Sequence, residues 1–229
     1  KLIEDACHGP MSEYKGKKLG TFGIAGCFSF FSNKNISTGE GGIIVTNDEA
    51  VYEKVKLLRS HGMTTMSYER STGHSTSYDV VGLGYNYRFN DILAGIGIVQ
   101  LDKLMPDIEK RQRIRERYIQ LLGEDERLII PFKNYKSISS LYICPIVLAN
   151  GDAKFRDALR TYLADNGIQT SMHYPPAHRF SIYKDLPADL PVTEYVADHE
   201  FTIPMYGGLT DGEVEYICKT IKAGLDNLK

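Results

Sequence analysis

The sequence predicts an α/β fold with two domains, and three observations support this. Short apolar stretches at 21–31, 42–46 and 142–149 suit buried strands, and helical repeats of apolar residues separate them. The 229 residues are enough for one large domain, or for one domain plus a smaller one. A strand–helix–strand pattern in the second half of the sequence predicts a separate small domain. We therefore expect a first domain over residues 1–123 and a second over 124–229.

The first domain is expected to open with a strand and to end with helices. Residues 2–5 pass from apolar to acidic, which is typical of a strand whose carboxylates lie at its carboxyl end. Residues 46–49 have the form of a capping box and predict a helix start. A long polar loop over 63–80 follows, and loops of that length are usually functional or mobile. A helical pattern then covers 90–123, where Pro106 is expected to split or kink it.

The second domain is expected to be small and mixed. After the strand at 142–149, the apolar spacing predicts a helix over 152–166 that Gly167 ends. A further strand is predicted over 168–173. Thr210 and Glu213 form a second capping box, which predicts the start of a final amphipathic helix.

Composition excludes several classes of function. The chain has 27 Lys and Arg against 29 Asp and Glu, a net charge of −2, so nothing favours binding to nucleic acid. No apolar run approaches the roughly 20 residues that a membrane helix needs. The four cysteines are scattered and form no CxxC pair, which argues against a zinc site or a redox dithiol. We expect a cytoplasmic protein without a metal, bound to neither nucleic acid nor membrane.

The densest chemical signal is the segment from Ser29 to Gly42, SFFSNKNISTGEGG. Lys34 lies between an apolar strand and a glycine-rich turn, where an amine can be partly desolvated and fixed in position. Such a lysine suits a Schiff-base nucleophile. From the residues alone, a solvated loop lysine remains the simpler interpretation.

With the preceding Phe28, this segment resembles the pattern F-S-F-x-x-x-K-N-[ILM]-[ST]-T-G-E-G-G of the DegT/DnrJ/EryC1/StrS family of sugar aminotransferases. These are fold-type I enzymes that use pyridoxal 5′-phosphate (PLP). The resemblance implies that Lys34 attaches PLP covalently and that Ser29 binds its phosphate. It also implies that residues 1–123 are the remainder of a large mixed-sheet domain, and that the rest is the small C-terminal α/β domain.

The start of the chain fits the same family. EDACHG, from Glu4 to Gly9, resembles the pattern E-D-[AC]-[AC]-[QH]-[AG] at a strand end. The resemblance implies that Asp5 accepts a hydrogen bond from the pyridine nitrogen of PLP and keeps it protonated. It implies that His8 lies against the face of the cofactor ring. The simpler alternatives are an aspartate that caps a turn and a surface histidine.

A third match implies shared active sites. LGYNYRFND, from Leu83 to Asp91, resembles L-G-[YF]-N-[YF]-R-[ML]-x-[DE]. In the family this asparagine reaches the PLP phosphate of the partner subunit, and the arginine lies near the partner's site. Carried over, these are Asn86 and Arg88, in a homodimer. The alternative is a turn asparagine and an arginine paired with Asp91.

The fourth match is HYPPAH, from His173 to His178, which resembles the turn H-[YF]-x-P-x-H. The resemblance implies that His173, Tyr174 and His178 point toward a sugar-nucleotide pocket. Imidazole and phenol groups suit hydrogen bonds to a diphosphate or to sugar hydroxyls. Two histidines five residues apart, without a carboxylate between them, are a weak metal-ligand set.

Together these matches imply a PLP-dependent aminotransferase. It would move an amino group from an amino acid, glutamate or glutamine, to a keto sugar on a nucleotide, in amino-sugar or polysaccharide biosynthesis. A related dehydratase branch has histidine at the lysine position, so Lys34 argues against that branch. Family members carry a long portion before the E-D strand, so we expect a fragment of a full enzyme or a separately encoded remnant. Two alternatives stay open: a non-catalytic remnant that folds or dimerises without PLP, and a PLP enzyme acting on amino acids.

Overall fold

The computed structural model describes residues 1–65 and 77–228 and divides the chain into two compact units. The first unit contains Lys1–Met105 and Ser137–Ser140, and the second contains Pro106–Lys136 and the chain from Leu141 onward. This division differs from the boundary expected at residue 124. The second half of a long helix belongs to the second unit, because its apolar side chains are buried in that unit's core.

The first unit is built on a three-stranded sheet of mixed direction. Its strands are β1 (Ile3–Asp5), β4 (Ala25–Ser29) and β5 (Gly42–Val45), in the order β1-β4-β5. Strand β1 is parallel to β4, and β5 is antiparallel to it. A two-stranded hairpin, β2 (Glu13–Tyr14) and β3 (Lys17–Lys18), lies between β1 and β4 in the chain. Strands near the beginning, at 21–31 and at 42–46 are therefore confirmed.

Strand β4 is shorter than the apolar stretch that predicts it. The backbone N–H groups of Gly20, Phe22 and Gly23 donate to the carboxylate of Glu4, at 2.7, 2.5 and 2.8 Å. Burial alone would raise the pKa of Glu4, but these bonds to the ionised form lower it. Because Glu4 takes these donors, the chain enters the sheet only at Ala25.

Helix α1 (Glu49–Arg59) is confirmed, but the expected capping box is wrong. The N-cap is Asp48, whose Oδ1 accepts a hydrogen bond from the backbone N–H of Val51 at 3.1 Å. The hydroxyl of Thr46 instead donates to the carbonyl of Ile24 at 2.5 Å. Ile24 is the residue before strand β4. The helix ends at Arg59 because Ser60 leaves helical geometry.

The predicted long loop is described only at its two ends. Residues 66–76 of the 63–80 loop lie outside the described residues. The described ends lie side by side, since the N–H of Thr64 donates to the carbonyl of Asp79 at 2.9 Å. Helix α2 then runs from Asp91 to Leu122, over 32 residues, with Pro106 inside it. The proline does not split this helix, although the two units divide at the same point.

The second unit packs helices on an antiparallel sheet. The strands are β6 (Leu128–Ile129), β7 (Cys144–Leu148) and β8 (Glu200–Ile203), in that order. The helices are α3 (Ala153–Asp165), α4 (Pro191–His199) and α5 (Asp211–Asn227), with a 3₁₀ turn at Ala177–Arg179. The strand at 142–149 and the helices at 152–166 and after Thr210 are thus confirmed. So is the second capping box, between Thr210 and Glu213.

The predicted strand at 168–173 is wrong. Only Ser171 forms a backbone bridge, to Thr202 of β8. Two residues further on, the N–H of His173 donates to the side chain of Glu200 at 3.0 Å rather than to a backbone carbonyl. The side chain of Glu200 therefore takes the backbone donor that a longer strand would pair with a carbonyl of β8.

The core of the second unit is closely packed around α5. Helix α5 buries Val214, Ile217, Ile221 and Leu225, as its pattern predicts. At Gly224 the helix approaches α3 so closely that an added Cβ would lie 2.6 Å from Cδ1 of the fully buried Leu159. No helix in the described ranges is both long and apolar enough to span a membrane.

Candidate active site

The candidate site is built in the first unit, where two parallel strands end at the same edge of the sheet. Asp5 is the last residue of β1 and lies beside Cys27 of β4. Ser29 ends β4 two residues later, and the loop that carries Lys34 follows. Since parallel strands present their carboxyl ends together, the sheet itself brings Asp5 close to the start of this loop.

Asp5 is held as a carboxylate by its neighbours. The thiol of Cys7 and the N–H of Cys7, which donates to Oδ1 at 3.2 Å, lower the pKa of Asp5. Sγ of Cys7 also lies 3.8 Å from the carbonyl oxygen of Cys27, a second acceptor for the thiol. The electrostatic influence of His8 and Lys34 lowers the pKa of Asp5 further. Lys34 and His8 therefore act electrostatically on the carboxylate with which the family resemblance pairs them.

Cys7 belongs to this cluster, although the sequence analysis did not select it. Burial, followed by the hydrogen bond and charge of Asp5, raises the pKa of the Cys7 thiol to about 11. The thiol stays protonated at neutral pH and can donate to Asp5. Its position two residues after the aspartate, inside the E-D motif, was the signal that could have found it.

The loop that carries Lys34 is closed by backbone hydrogen bonds. The N–H of Phe30 donates to Gly41 at 2.9 Å, and that of Thr38 donates to Phe30 at 3.0 Å. Gly41 has a φ of 149°, and an added Cβ would lie 2.5 Å from Cε2 of Phe89, so this position requires glycine. The loop therefore has a fixed path, and Lys34 projects from it half-buried.

Ser29 lies at the mouth of the same loop. Its Oγ accepts a hydrogen bond from the N–H of Phe31 at 3.2 Å. A hydroxyl that accepts in this way still has its own proton to donate. Ser29 is therefore oriented by the turn and can supply a donor to an anionic group.

A buried polar network ties the two halves of the site together, and the sequence analysis missed it. Ser140 is 3% exposed; its N–H donates to Oγ of Ser12 at 2.8 Å, and its hydroxyl donates to the carbonyl of His8. The amide of Asn35 donates to the carbonyl of Ser140 at 2.9 Å. The segment next to Asp5 and the residue after Lys34 are thus anchored on one serine.

Asn86 and Arg88 lie in the connection between α1 and α2. Asn86 pairs with Ser60 in an isolated bridge, and the flanking residues Tyr85 and Tyr87 donate backbone hydrogen bonds to the end of α1. The side chains of Asn86 and Arg88 are exposed. Within the described residues, neither forms a hydrogen bond with Asp5 or Lys34.

The HYPPAH turn belongs to the second unit. Nδ1 of His173 lies 2.8 Å from Oγ1 of Thr202, and the ring packs edge-on against Tyr174 with centroids 4.7 Å apart. Nε2 of His178 lies 3.0 Å from Oε1 of Glu194 in α4. Burial, then the nearby Tyr142, raises the pKa of Tyr174, so its phenol stays protonated. In the described parts of the chain, no group of three His, Cys, Asp or Glu side chains is arranged to hold a metal.

Comparison with known proteins identifies the family. The profile of the DegT/DnrJ/EryC1/StrS aminotransferase family matches residues 1–222. The chain is 35% identical over 233 aligned positions to the UDP-4-amino-4,6-dideoxy-N-acetyl-beta-L-altrosamine transaminase of Campylobacter jejuni, covering 100% of this chain and 59% of that protein.

Solved structures agree with this match. PseC of Helicobacter pylori, an aminotransferase involved in pseudoaminic acid biosynthesis, superposes with a TM-score of 0.89 at 29% identity, over 98% of this chain and 59% of that one. Spr1654 of Streptococcus pneumoniae, described as a sugar aminotransferase and solved in its pyridoxamine phosphate form, gives a TM-score of 0.90 at 28% identity, over 99% and 59%. The predicted fold class is confirmed, and this chain spans 59% of the length of each of these relatives. The chain belongs to the DegT/DnrJ/EryC1/StrS aminotransferase family, whose members depend on PLP.

Proposed function

We propose that this chain is the PLP-carrying part of an aminotransferase that moves an amino group from glutamate or glutamine to a keto sugar on a nucleotide. The observation that carries the proposal is the position of Asp5 at the carboxyl end of β1, beside the parallel strand β4 that leads into the Lys34 loop, together with a pKa that Cys7 and, by charge, His8 and Lys34 lower. A relative named as a UDP-amino-sugar transaminase supports a nucleotide sugar as the substrate class and amino-sugar or polysaccharide biosynthesis as the role.

The donor set of the first unit fits PLP. PLP needs an amine to attach it, a carboxylate for its pyridine nitrogen and hydrogen-bond donors for its phosphate. Lys34, Asp5 and Ser29 supply these three groups, and His8, three residues after Asp5, suits packing against the ring. PLP, when bound, supplies an electron sink for a carbanion at Cα of the amino acid.

Lys34 is the group that moves the proton. As general base its amine would take the proton from Cα of the amino donor, and as general acid its protonated form would deliver a proton to the carbon of the keto sugar that receives the amino group. Within each half of the reaction Lys34 both accepts a proton and gives one up, so it is restored for the next half. The closed loop fixes its backbone, and half-burial limits its contact with water. Asp5 keeps the proton on the pyridine nitrogen, because a carboxylate whose pKa is lowered stays charged at neutral pH.

The second unit would supply contacts to the sugar nucleotide. We assign His173, Tyr174 and His178 to this role, with Arg88 from the first unit as a contact of the partner's site. Because Nε2 of His178 is bonded to Glu194, only its Nδ1 can meet a substrate. The protonated phenol of Tyr174 can donate to a phosphate oxygen or a sugar hydroxyl.

The active form would be a cytoplasmic homodimer in which Asn86 reaches the partner's PLP phosphate. Support comes from apolar side chains near Asn86 in the sequence that are open to solvent. Leu83 is 98% exposed, Ile92 79% and Ile98 66%. Apolar surface of this kind is typical of a protein interface. The described cysteines are all in the thiol form, which suits the reducing cytoplasm.

Visible absorption of the complete protein tests the proposal. PLP added to the wild type should produce a yellow protein, and Lys34→Ala should abolish the colour. Lys56→Ala is the matched control, because Lys56 is on α1 and pairs with Glu53 at 3.1 Å. A wild type that stays colourless with excess PLP would favour a remnant that folds without the cofactor.

A further inference from the structure

A buried carboxylate and a buried hydroxyl lie behind His173. Glu200 is 4% exposed and Thr202 is 7% exposed, both in β8 of the second unit. Oε1 of Glu200 accepts from Oγ1 of Thr202 at 2.6 Å, and Oγ1 of Thr202 lies 2.8 Å from Nδ1 of His173. Oε2 of Glu200 accepts from the backbone N–H of His173 at 3.0 Å. The three residues therefore form one chain of hydrogen bonds.

Backbone pairing holds the residues of this hydrogen-bond chain in place. The N–H of Ser171 donates to the carbonyl of Thr202 at 3.1 Å, and the N–H of Thr202 donates back to Ser171 at 2.8 Å. In this antiparallel arrangement His173 lies opposite Glu200, two residues along each segment. The carboxylate therefore meets both a fixed backbone donor and a hydroxyl, and neither can move away without breaking the pairing.

The number of protons on each group decides which group donates and which accepts in these hydrogen bonds. A backbone N–H can only donate, so Oε2 of Glu200 must accept from it. A carboxylate has no proton to give, so the single proton of the Thr202 hydroxyl points to Oε1. The oxygen of Thr202 can then only accept a hydrogen bond from His173. Nδ1 of His173 must therefore carry the hydrogen that it donates to Thr202.

We propose that Glu200, acting through Thr202, fixes the ring proton of neutral His173 on Nδ1 and so makes Nε2 the accepting atom of the imidazole. A group that binds at Nε2 must then donate a hydrogen bond. A sugar hydroxyl or an amino group fits this requirement, and a diphosphate oxygen does not. The identity of the ligand as a nucleotide sugar rests on the proposed function, whereas the position of the proton does not.

The tautomer can be measured directly. The complete protein, labelled with ¹⁵N-histidine, is examined by long-range ¹H–¹⁵N correlation NMR, and the His173 signals are assigned by their loss in His173→Asn. The wild type should show a protonated Nδ1 and an unprotonated Nε2. A wild-type ring with its proton on Nε2, or on both nitrogens at neutral pH, overturns the proposal.

Glu200→Gln gives a prediction that a purely structural role would not make. The amide oxygen must accept from the N–H of His173, so the amide NH₂ faces Thr202. Thr202 then accepts from the amide and donates its own proton to Nδ1, which moves the ring proton to Nε2. Thr202→Ser keeps the hydroxyl and should keep the wild-type tautomer, while Thr202→Val should leave a mixture of tautomers. An unchanged tautomer in a folded Glu200→Gln protein, or in Thr202→Val, contradicts the proposal.

Kinetics separate this inference from the proposed function. In the PLP-loaded complete enzyme, Glu200→Gln should raise the KM for the keto-sugar nucleotide about tenfold, the effect of losing one well-placed hydrogen bond, and leave the KM for the amino donor unchanged. An inactive wild type with the expected tautomer contradicts only the proposed function. An active wild type with the reversed tautomer contradicts only the inference.

Discussion

Asp5→Asn changes one atom at the centre of the candidate site. The amide keeps the shape of the side chain, and its oxygen can still accept from the N–H of Cys7, now 3.2 Å away. It removes the negative charge that Lys34 and His8 stabilise. A neutral amide cannot hold a proton on the pyridine nitrogen, so PLP should bind and the electron sink should weaken.

The expected loss of turnover is large. When a buried aspartate that orients a catalytic histidine in a serine protease is changed to asparagine, kcat falls about 10⁴-fold, although the geometry is kept. Because Asp5 is more exposed than such a residue, we expect a loss of at least about 100-fold. The assay is steady-state turnover of the PLP-loaded complete enzyme, with bound PLP measured in the same samples. Asp48→Asn is the matched control, because asparagine caps a helix as well as aspartate and Asp48 caps α1.

A second measurement checks the geometry without cofactor. Asp5 raises the pKa of the Cys7 thiol, which stands at about 11, so Asp5→Asn should lower it. The pH dependence of Cys7 alkylation, followed by mass spectrometry, reports this shift. Wild-type turnover in Asp5→Asn would refute the pairing with the pyridine nitrogen, and an unchanged Cys7 profile would refute the contact itself.

Two further predictions concern assembly and packing. Mixing two inactive full-length variants, Lys34→Ala and a double replacement of Asn86 and Arg88, should restore up to about one quarter of wild-type activity if subunits exchange at random in a two-fold dimer; exchange without recovery would refute the shared site. Gly224→Ala should destabilise the protein by up to roughly 2 kcal/mol in denaturant unfolding, because a clash with α3 that costs about 1–3 kcal/mol outweighs the gain in helix propensity of about 1 kcal/mol. Gly212→Ala in the same helix, where nothing lies within 4 Å of an added Cβ, should be neutral or stabilising, and equal effects at both positions would contradict this packing argument.

Local patterns in the sequence predicted most elements of the fold. The periodic apolar residues of α3 and α5, and the capping box at Thr210, depend on neighbours in the chain and were found from spacing alone. The strand predicted at 168–173 failed for the opposite reason. Its ladder is interrupted by the side chain of Glu200, which is distant in sequence and carries no local signal.

The same distinction applies to the candidate site. Asp5, Ser29 and Lys34 lie in long motifs, so the sequence alone predicts a role for all three. Ser140 could not be found, because it is 105 residues from Asn35 and 132 residues from His8, the groups it joins. Only the folded chain shows that one serine anchors both sides of the site.

The domain boundary shows how tertiary packing can override a local signal. Pro106 was expected to split or kink the helix, and the helix continues through it. The proline nevertheless marks the division of the chain into units, because apolar residues beyond it, such as Tyr118 and Leu122, are fully buried in the second core. Helix signals alone do not reveal that the end of this helix belongs to the second core.

Reductive labelling tests the central claim most directly. The complete protein is incubated with PLP, reduced with borohydride, digested and mapped by mass spectrometry. The account predicts a phosphopyridoxyl group on Lys34 and on no other lysine of this chain. A label on a different lysine, or an unlabelled Lys34 in a protein that retains PLP, would contradict it.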